Sequence, residues 1–314
     1  MVNLIKNEWM KIFKRPGTYV MIAILIVIIS IFGIFQKYQE REFKLDKNWE
    51  QTLHQENEAL KKQMEQSNSK LEKQYYKEEI AINDYRIVHH LPFNEKYNVW
   101  SFVKDASQLI ILAGLFTIII SAGIVASEFN WGTIKLLLIR PINRSKILAS
   151  KYLTVLLFAL LMLAILFAIS AILGAVLFGT PDHPVPYLKY ANGQVTEQNI
   201  IVYLMIYYGL SSIDTIMLAT MAFMISSVFR SSSLAIGLSL FLLFTGAQFT
   251  LLLSIKFSWA KYILFANTDL MQYVDGTPMM EGMSMSFSVI MLLVYFVIFQ
   301  LLAFLVFKKR DVAA

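Results

Sequence analysis

The run LIILAGLFTIIISAGIVA, residues 109–126, holds no charge and no proline. Eighteen apolar residues at about 1.5 Å each make close to 30 Å of helix, the thickness of a bilayer's hydrocarbon core. In lipid, backbone N–H and C=O groups find partners only within the segment, so the run reads as a membrane-spanning helix. Five further runs read the same way: 19–35, 147–178, 200–229, 234–255 and 287–307. The third and fourth of the six exceed what a bilayer needs, and are expected to tilt or protrude.

Composition agrees. Of 314 residues 57% are hydrophobic and 16% charged, with mean hydropathy +0.55. Soluble domains carry about 25% charge, which excludes an ordinary soluble enzyme, and disorder needs low hydrophobicity. The fold class is an all-α polytopic membrane protein with six transmembrane helices. The net charge of +6 reads as basic flanks on the cytoplasmic side of a membrane, not as a nucleic-acid site. Cysteine is absent, so no disulfide or cysteine metal site exists.

Orientation follows from Lys and Arg in the short flanks. Lys6, Lys11, Lys14 and Arg15 precede span one. Lys135, Arg140, Arg144, Lys146 and Lys151 surround the connection from span two to three. Arg230 follows span four, and Lys308, Lys309 and Arg310 follow span six, against Glu8, Glu128 and Asp311. The other short loops are richer in acid: Asp182, Glu197, Asp269, Asp275 and Glu281 outweigh Lys189, Lys256 and Lys261. Both termini are therefore expected in the cytoplasm, with the chain multi-pass in the cell membrane. The basic front and apolar first run resemble a signal peptide, but no A-x-A-like cleavage site follows, which favours an uncleaved helix.

The chain then divides into an interface helix at 1–17, span one at 18–36, a large outer insertion at 37–106 and span two at 107–127. An inner loop at 128–146, span three at 147–178 and an outer loop at 179–199 follow. Span four at 200–229, span five at 233–255, an outer loop at 256–286, span six at 287–307 and an inner tail at 308–314 complete it.

Residues 2–15 place Val2, Ile5, Trp9 and Ile12 at helical spacing among bases, and Pro16-Gly17 breaks the chain. This is an amphipathic helix lying in the inner interface; a plain basic flank is the alternative. In the outer insertion, Trp49, Leu60, Leu71 and Ile82 recur every eleven residues, with Leu53, Met64 and Tyr75 four residues after the first three. A single rod of that length could not return to the membrane by residue 106, so the segment is expected to be an extracellular helical hairpin broken at Ser67-Asn68-Ser69 and ended by Pro92. A solvated spacer is the plainer alternative. Tyr97 and Trp100 are typical interface anchors leading into span two.

No P-loop, H-E-x-x-H, G-x-S-x-G or Cys-His arrangement occurs. Neighbouring His89 and His90 point apart on a helix, and neither a metal site nor a catalytic centre is expected. Asp214, mid-run in span four, is costly there and a functional candidate by default. Tyr207, Ser211, Asp214 and Thr215 share one face and form a candidate translocation pathway. The equal alternative is a structural Asp bridging helices, with Gln248 or Gln300 as partner. Small residues at spacing four, Ala164/Ala168, Ser170/Gly174 and Ser231/Ala235/Ser239, permit close helix contact.

The inner loop is too elaborate for a linker: a short apolar helix, about 133–139, lies between Gly132 and Pro141 among bases. The run ASEFNWGTIKLLLIRPINRSKILASKY, residues 126–152, resembles the inner loop of permease subunits of type-2 ABC exporters, with Glu128, Gly132, Thr133, Arg140, Pro141, Arg144 and Lys151 on the matching positions. The basic amphipathic start, six spans and the KKRD exit at 308–311 fit the same plan. The charged outer insertion is like that of Firmicute drug, bacitracin-type or lantibiotic-immunity permeases, whereas compact exporters lack such a hairpin. The resemblance implies that the loop is a coupling helix docking on a separate cytoplasmic ATPase, which alone would hold ATP and Mg, this chain needing no cofactor. It further implies pairing with a second permease copy or related chain, and export or extraction of an amphiphilic substrate such as a peptide antibiotic, drug or lipid-linked molecule. Two rivals remain: a secondary transporter using Asp214, and a non-transporting membrane sensor or scaffold using the hairpin.

Overall fold

A computed structural model describes residues 1–42, 48–92, 97–133, 142–181, 186–191, 193–275 and 278–309. Helix α1 spans Val2–Phe13 and α2 Pro16–Glu42, the latter opening on a proline, whose fixed φ and missing N–H suit a first helical position. The outer insertion holds α3, Trp49–Gln66, and α4, Lys70–Val88. Then come α5, Val99–Ala106, α6, Ile110–Asn130, and α7, Arg144–Phe178. After a β-hairpin follow α8, Ile200–Phe229, α9, Ser232–Ser254, the one-turn α10, Leu264–Asn267, and α11, Met285–Lys309.

Several of these helices start on a side chain that accepts an otherwise orphaned N–H. Asn98 accepts from Trp100 and Ser101, Asn143 from Ser145, Asn199 from Ile201, and Ser231 from Leu234.

Six helical segments are long and apolar enough to cross a membrane: Pro16–Glu40, Val99–Asn130, Arg144–Phe178, Ile200–Phe229, Ser232–Ser254 and Met285–Lys309. The second and fourth are two-thirds buried in protein along their most apolar windows; the first, fifth and sixth are buried by about a fifth. Spans two and four therefore form the centre, and the others turn apolar surface outward to lipid, as Phe241, Phe244, Leu293 and Leu301 do. The central pair is bonded through hydroxyls as well as packed. Ser121 Oγ donates to Ala219 O and Ser226 Oγ to Ala122 O, both at 2.6 Å.

Span two begins earlier than its apolar run. Val99, Phe102, Val103 and Ala106 of α5 are buried, and a short 3₁₀ turn joins α5 to α6. The cause lies on α7: a Cβ at Gly174 would sit 3.2 Å from the Val99 backbone and the Phe102 ring, so the small residue admits α5.

The outer insertion is a helical hairpin with its break at 67–69. Its centre is polar. Asn57 Nδ2 donates to Asp84 Oδ1 at 2.8 Å, and Asn83 Nδ2 to Asn57 Oδ1 at 3.0 Å, with Leu53 1% exposed beside them. Trp49, Leu60, Met64 and Ile82 are half-buried and Tyr75 is exposed. Leu53 thus packs with the amides at the centre while Trp49, Leu60, Met64 and Ile82 border the contact, and the Leu71 side chain lies outside the described residues.

Two outer loops carry structure that the sequence reading left as plain loop. Residues 186–199 form an antiparallel β-hairpin, β1 Pro186–Ala191 and β2 Gln194–Asn199. Tyr187 of β1 stacks on Tyr203 of α8 at 3.6 Å, and both hydroxyls donate to Asp275. Residues 258–275 fold back between α8, α9 and α11. Leu264 and Leu270 pack with Met217, Leu218 and Met221 of α8, and the Phe265 ring lies on Gly246 of α9. Irregular backbone at that depth is tolerated only where its polar groups find partners. Two buried amides supply them: Asn267 Nδ2 donates to Lys261 O and Ile263 O, Gln272 Nε2 to Ala266 O and Asp269 O. The Tyr295 hydroxyl of α11 donates to Tyr262 O at 2.9 Å.

Candidate functional site

At the inner ends of α6 and α7, four charged side chains close a ring. Lys151 Nζ lies 2.8 Å from Glu8 Oε2 and 2.9 Å from Glu128 Oε1. Lys11 Nζ lies 2.9 Å from Glu8 Oε1 and 2.8 Å from Glu128 Oε1. Two carboxylates and two ammoniums alternate, so the cluster is neutral as a unit. The Lys151 side chain is 1% exposed and that of Lys11 36%. Burial alone pulls the Lys11 ammonium down; hydrogen bonds and charge from Glu128 and Glu8 outweigh it, and its pKa lies above the ordinary lysine value.

The four members come from three pieces of sequence. Glu8 and Lys11 are one turn apart on α1, whose Ile12 is buried against the bundle. The bend at Arg15–Pro16 holds α1 there, with Thr18 Oγ1 donating to Ile12 O at 2.6 Å. Glu128 ends α6, and Lys151 lies two turns into α7. The neighbouring Arg15 reaches Ser127 Oγ at 3.4 Å and lies over the Trp131 ring at 4.8 Å. The result is one ionic knot joining the interface helix to both stems of the inner loop.

The loop leaves the knot through Gly132, whose φ of +69° follows the last turn of α6 in the left-handed region that glycine adopts without strain. Thr133 then returns, its hydroxyl donating to Glu128 Oε2. Of the positions singled out by resemblance, Glu128, Thr133 and Lys151 converge on the knot and Gly132 makes its exit. Arg144 stands apart, its guanidinium 3.4 Å from Lys308 O at the end of α11. Arg140, Pro141 and the short apolar helix lie outside the described residues. Sequence reasoning missed Glu8 and undervalued Lys11. The available signal was an acid inside an otherwise basic flank, one helical turn before a lysine.

The pathway candidates on α8 stand in different surroundings. Tyr207 packs on the main core cluster. Thr215 is buried against Gly114 of α6, its hydroxyl 3.1 Å from where a Cβ would stand. Ser211 is half-buried. Asp214 lies near Thr268 and Asp269 of the re-entrant segment. Among the described residues no cluster of three or more His, Asp or Glu side chains could hold a metal.

A family model described as "Protein of unknown function (DUF2705)" matches residues 73–313. The "Uncharacterized protein YhcI" of Bacillus subtilis (strain 168) is 53% identical over 315 residues, covering all of both chains. The "Uncharacterized membrane protein YdbK" of the same organism is 30% identical over 217 residues, 68% of this chain and 84% of that one. With six apolar helices and these relatives, the chain is a multi-pass membrane protein.

Proposed function

The chain belongs to the DUF2705 family, and we propose that this member is the transmembrane subunit of an ATP-driven exporter whose ATPase is a separate cytoplasmic protein. The observation that carries the reading is the ionic knot. A loop that only connects two spans needs no anchorage, whereas here its two stems are tied to each other and to α1 by buried charge. Force applied to residues 131–143 by a docked partner would reach spans two and three directly, and span one through α1. The Ser121 and Ser226 hydroxyls would carry it to span four. In this reading a second copy or related chain completes the pore, and the cargo is an amphiphile taken from the membrane or its outer face.

The test is affinity purification from native membranes in mild detergent. A P-loop ATPase is expected to co-purify with the wild type, and Glu128→Lys should insert normally yet lose the ATPase or its stimulation. Undiminished co-purification and stimulation in Glu128→Lys would refute the coupling role. Transport that persists without ATP hydrolysis would refute the exporter reading itself.

A further inference from the structure

A cavity of about 890 Å³ opens on the outer side, and four separate pieces of chain build it: Met64 of α3, helix α4, the β-hairpin and residues 272–274 and 278 at the end of the re-entrant segment. That volume is within the range of small-molecule sites, roughly 300–1,000 Å³. Lys73 and Lys77, one turn apart on α4, line one wall and Lys189 of β1 another. Among the described residues no carboxylate lies within ion-pair distance of any of the three. Of the acids only Glu78 lines the cavity, and it is engaged by Gln74 Nε2 at 3.0 Å. Among the described residues the lining therefore sets three ammoniums without ion-pair partners against one carboxylate.

We propose that this cavity binds a phosphate-bearing amphiphile. Ammonium groups only donate hydrogen bonds, so the ligand must present oxygen acceptors. Three cations against the Glu78 carboxylate leave a net charge of about +2, more than a single ligand carboxylate would neutralise and suited to a phosphate of charge near −2. Met64, Val274 and the rings of Tyr190 and Tyr273 add an apolar portion of the wall for a non-polar body. The floor is not available for recognition: the Gln272 amide is spent on Ala266 O, Asp269 O and Met279 N, and the Tyr273 hydroxyl is shared with Ser288 Oγ at 2.7 Å. The floor instead links the cavity to the bundle. Ser288 donates to Asn267, and the next residue, Thr268, lies near Asp214 in span four. An occupant would therefore bear on the segment that reaches into the spans. The site stands whether or not the chain works with an ATPase.

The phosphate could come from an outer-leaflet lipid or from a soluble molecule, and the test separates these. The full chain is placed in nanodiscs of phosphatidylcholine alone or with phosphatidic acid, whose monoester phosphate approaches a charge of −2, and inorganic pyrophosphate is titrated calorimetrically into the first. Retained phosphatidic acid per protein is measured by native mass spectrometry in the second. Binding in either arm, falling at least tenfold in K73Q/K77Q/K189Q, is expected; the arm in which it occurs names the source. Should the triple variant unfold, K189Q alone, on a different element, must lose at least threefold. No binding in either arm, or binding unchanged in the lysine variants, overturns the proposal.

Discussion

Replacing Lys151 by methionine keeps the length of the side chain and removes one ammonium from a neutral cluster. Glu8 and Glu128 then share Lys11 alone, and one negative charge is left uncompensated. Lys151 is 1% exposed and bonds two carboxylates at 2.8 and 2.9 Å. Truncating one partner of a buried pair costs about 3–5 kcal/mol, most of it the penalty of the stranded charge. Lys11→Met makes the same change of charge at a side chain 36% exposed, where water can take the ammonium's place, and should cost about 1 kcal/mol. The chain has no cysteine, so one introduced thiol is a clean reporter. Ile12, 3% exposed on the buried face of α1, becomes Cys in all backgrounds, and its alkylation rate measures release of the helix. A loss of 3 kcal/mol raises the open population by about a hundredfold or more. Labelling in Lys151→Met should accelerate by that factor, against about fivefold in Lys11→Met. A rise below fivefold for Lys151→Met, or equal effects of the two lysines, would refute the claim that the buried ring holds α1 to the loop stems.

Four further outcomes are expected. Asn57→Ala leaves Asn83 and Asp84 without their partner in the hairpin contact, and should destabilise α3 and α4 by about 1–3 kcal/mol, read as lost amide protection confined to those helices. Burial first, then Glu56, raises the Glu79 carboxyl above its ordinary value, so the folded hairpin holds that proton more tightly than the unfolded one. Hairpin protection should therefore increase as pH falls through the raised value, levelling near the unfolded carboxylate pKa of about 4.3, and Glu79→Gln should abolish the slope. Gly246→Ala puts a Cβ 2.6 Å from the Phe265 ring and should cost about 1–3 kcal/mol, seen as a lowered thermal midpoint and faster proteolysis at 258–275. Asp214→Asn keeps a polar group of the same shape beside Thr268 and should assemble normally, while Asp214→Leu should lower the thermal midpoint; under the exporter proposal, a stable Asn variant whose partner ATPase hydrolyses ATP without transport would make Asp214 a working residue.

What the sequence made legible was whatever local pattern and lipid physics determine. An uncharged run such as 109–126 has one solution in a bilayer, and the Ser67-Asn68-Ser69 cluster is where a charged helix must turn. What escaped reading was pairing between distant residues. Asn57 gives no sign that its partners are Asn83 and Asp84, because polar residues on an exposed helix look alike until the contact is known. The re-entrant segment left a fainter trace: YILFANTDLMQYV, residues 262–274, is too apolar for a solvated loop, yet too short and interrupted to span. Asn267 and Gln272 there read as loop polarity and turned out to be the amides that make the inward fold affordable.

Glu8 shows the same limit in its sharpest form, and explains why resemblance alone underdescribed the inner site. A loop motif marks Glu128 and Lys151 as belonging together, and a buried pair would satisfy that reading. Yet Glu128 spends Oε1 on two lysines and Oε2 on Thr133, while Lys151 divides itself between two acids. A lone Glu128–Lys151 pair would leave the rest of the Lys151 donor capacity buried without an acceptor, a poor arrangement at 1% exposure. The second acid is required by the burial of the lysine, and the second lysine by the charge of the second acid. Both arrive on one turn of α1, so the amphipathic helix at the interface is as much a part of the loop's foundation as the two spans it joins.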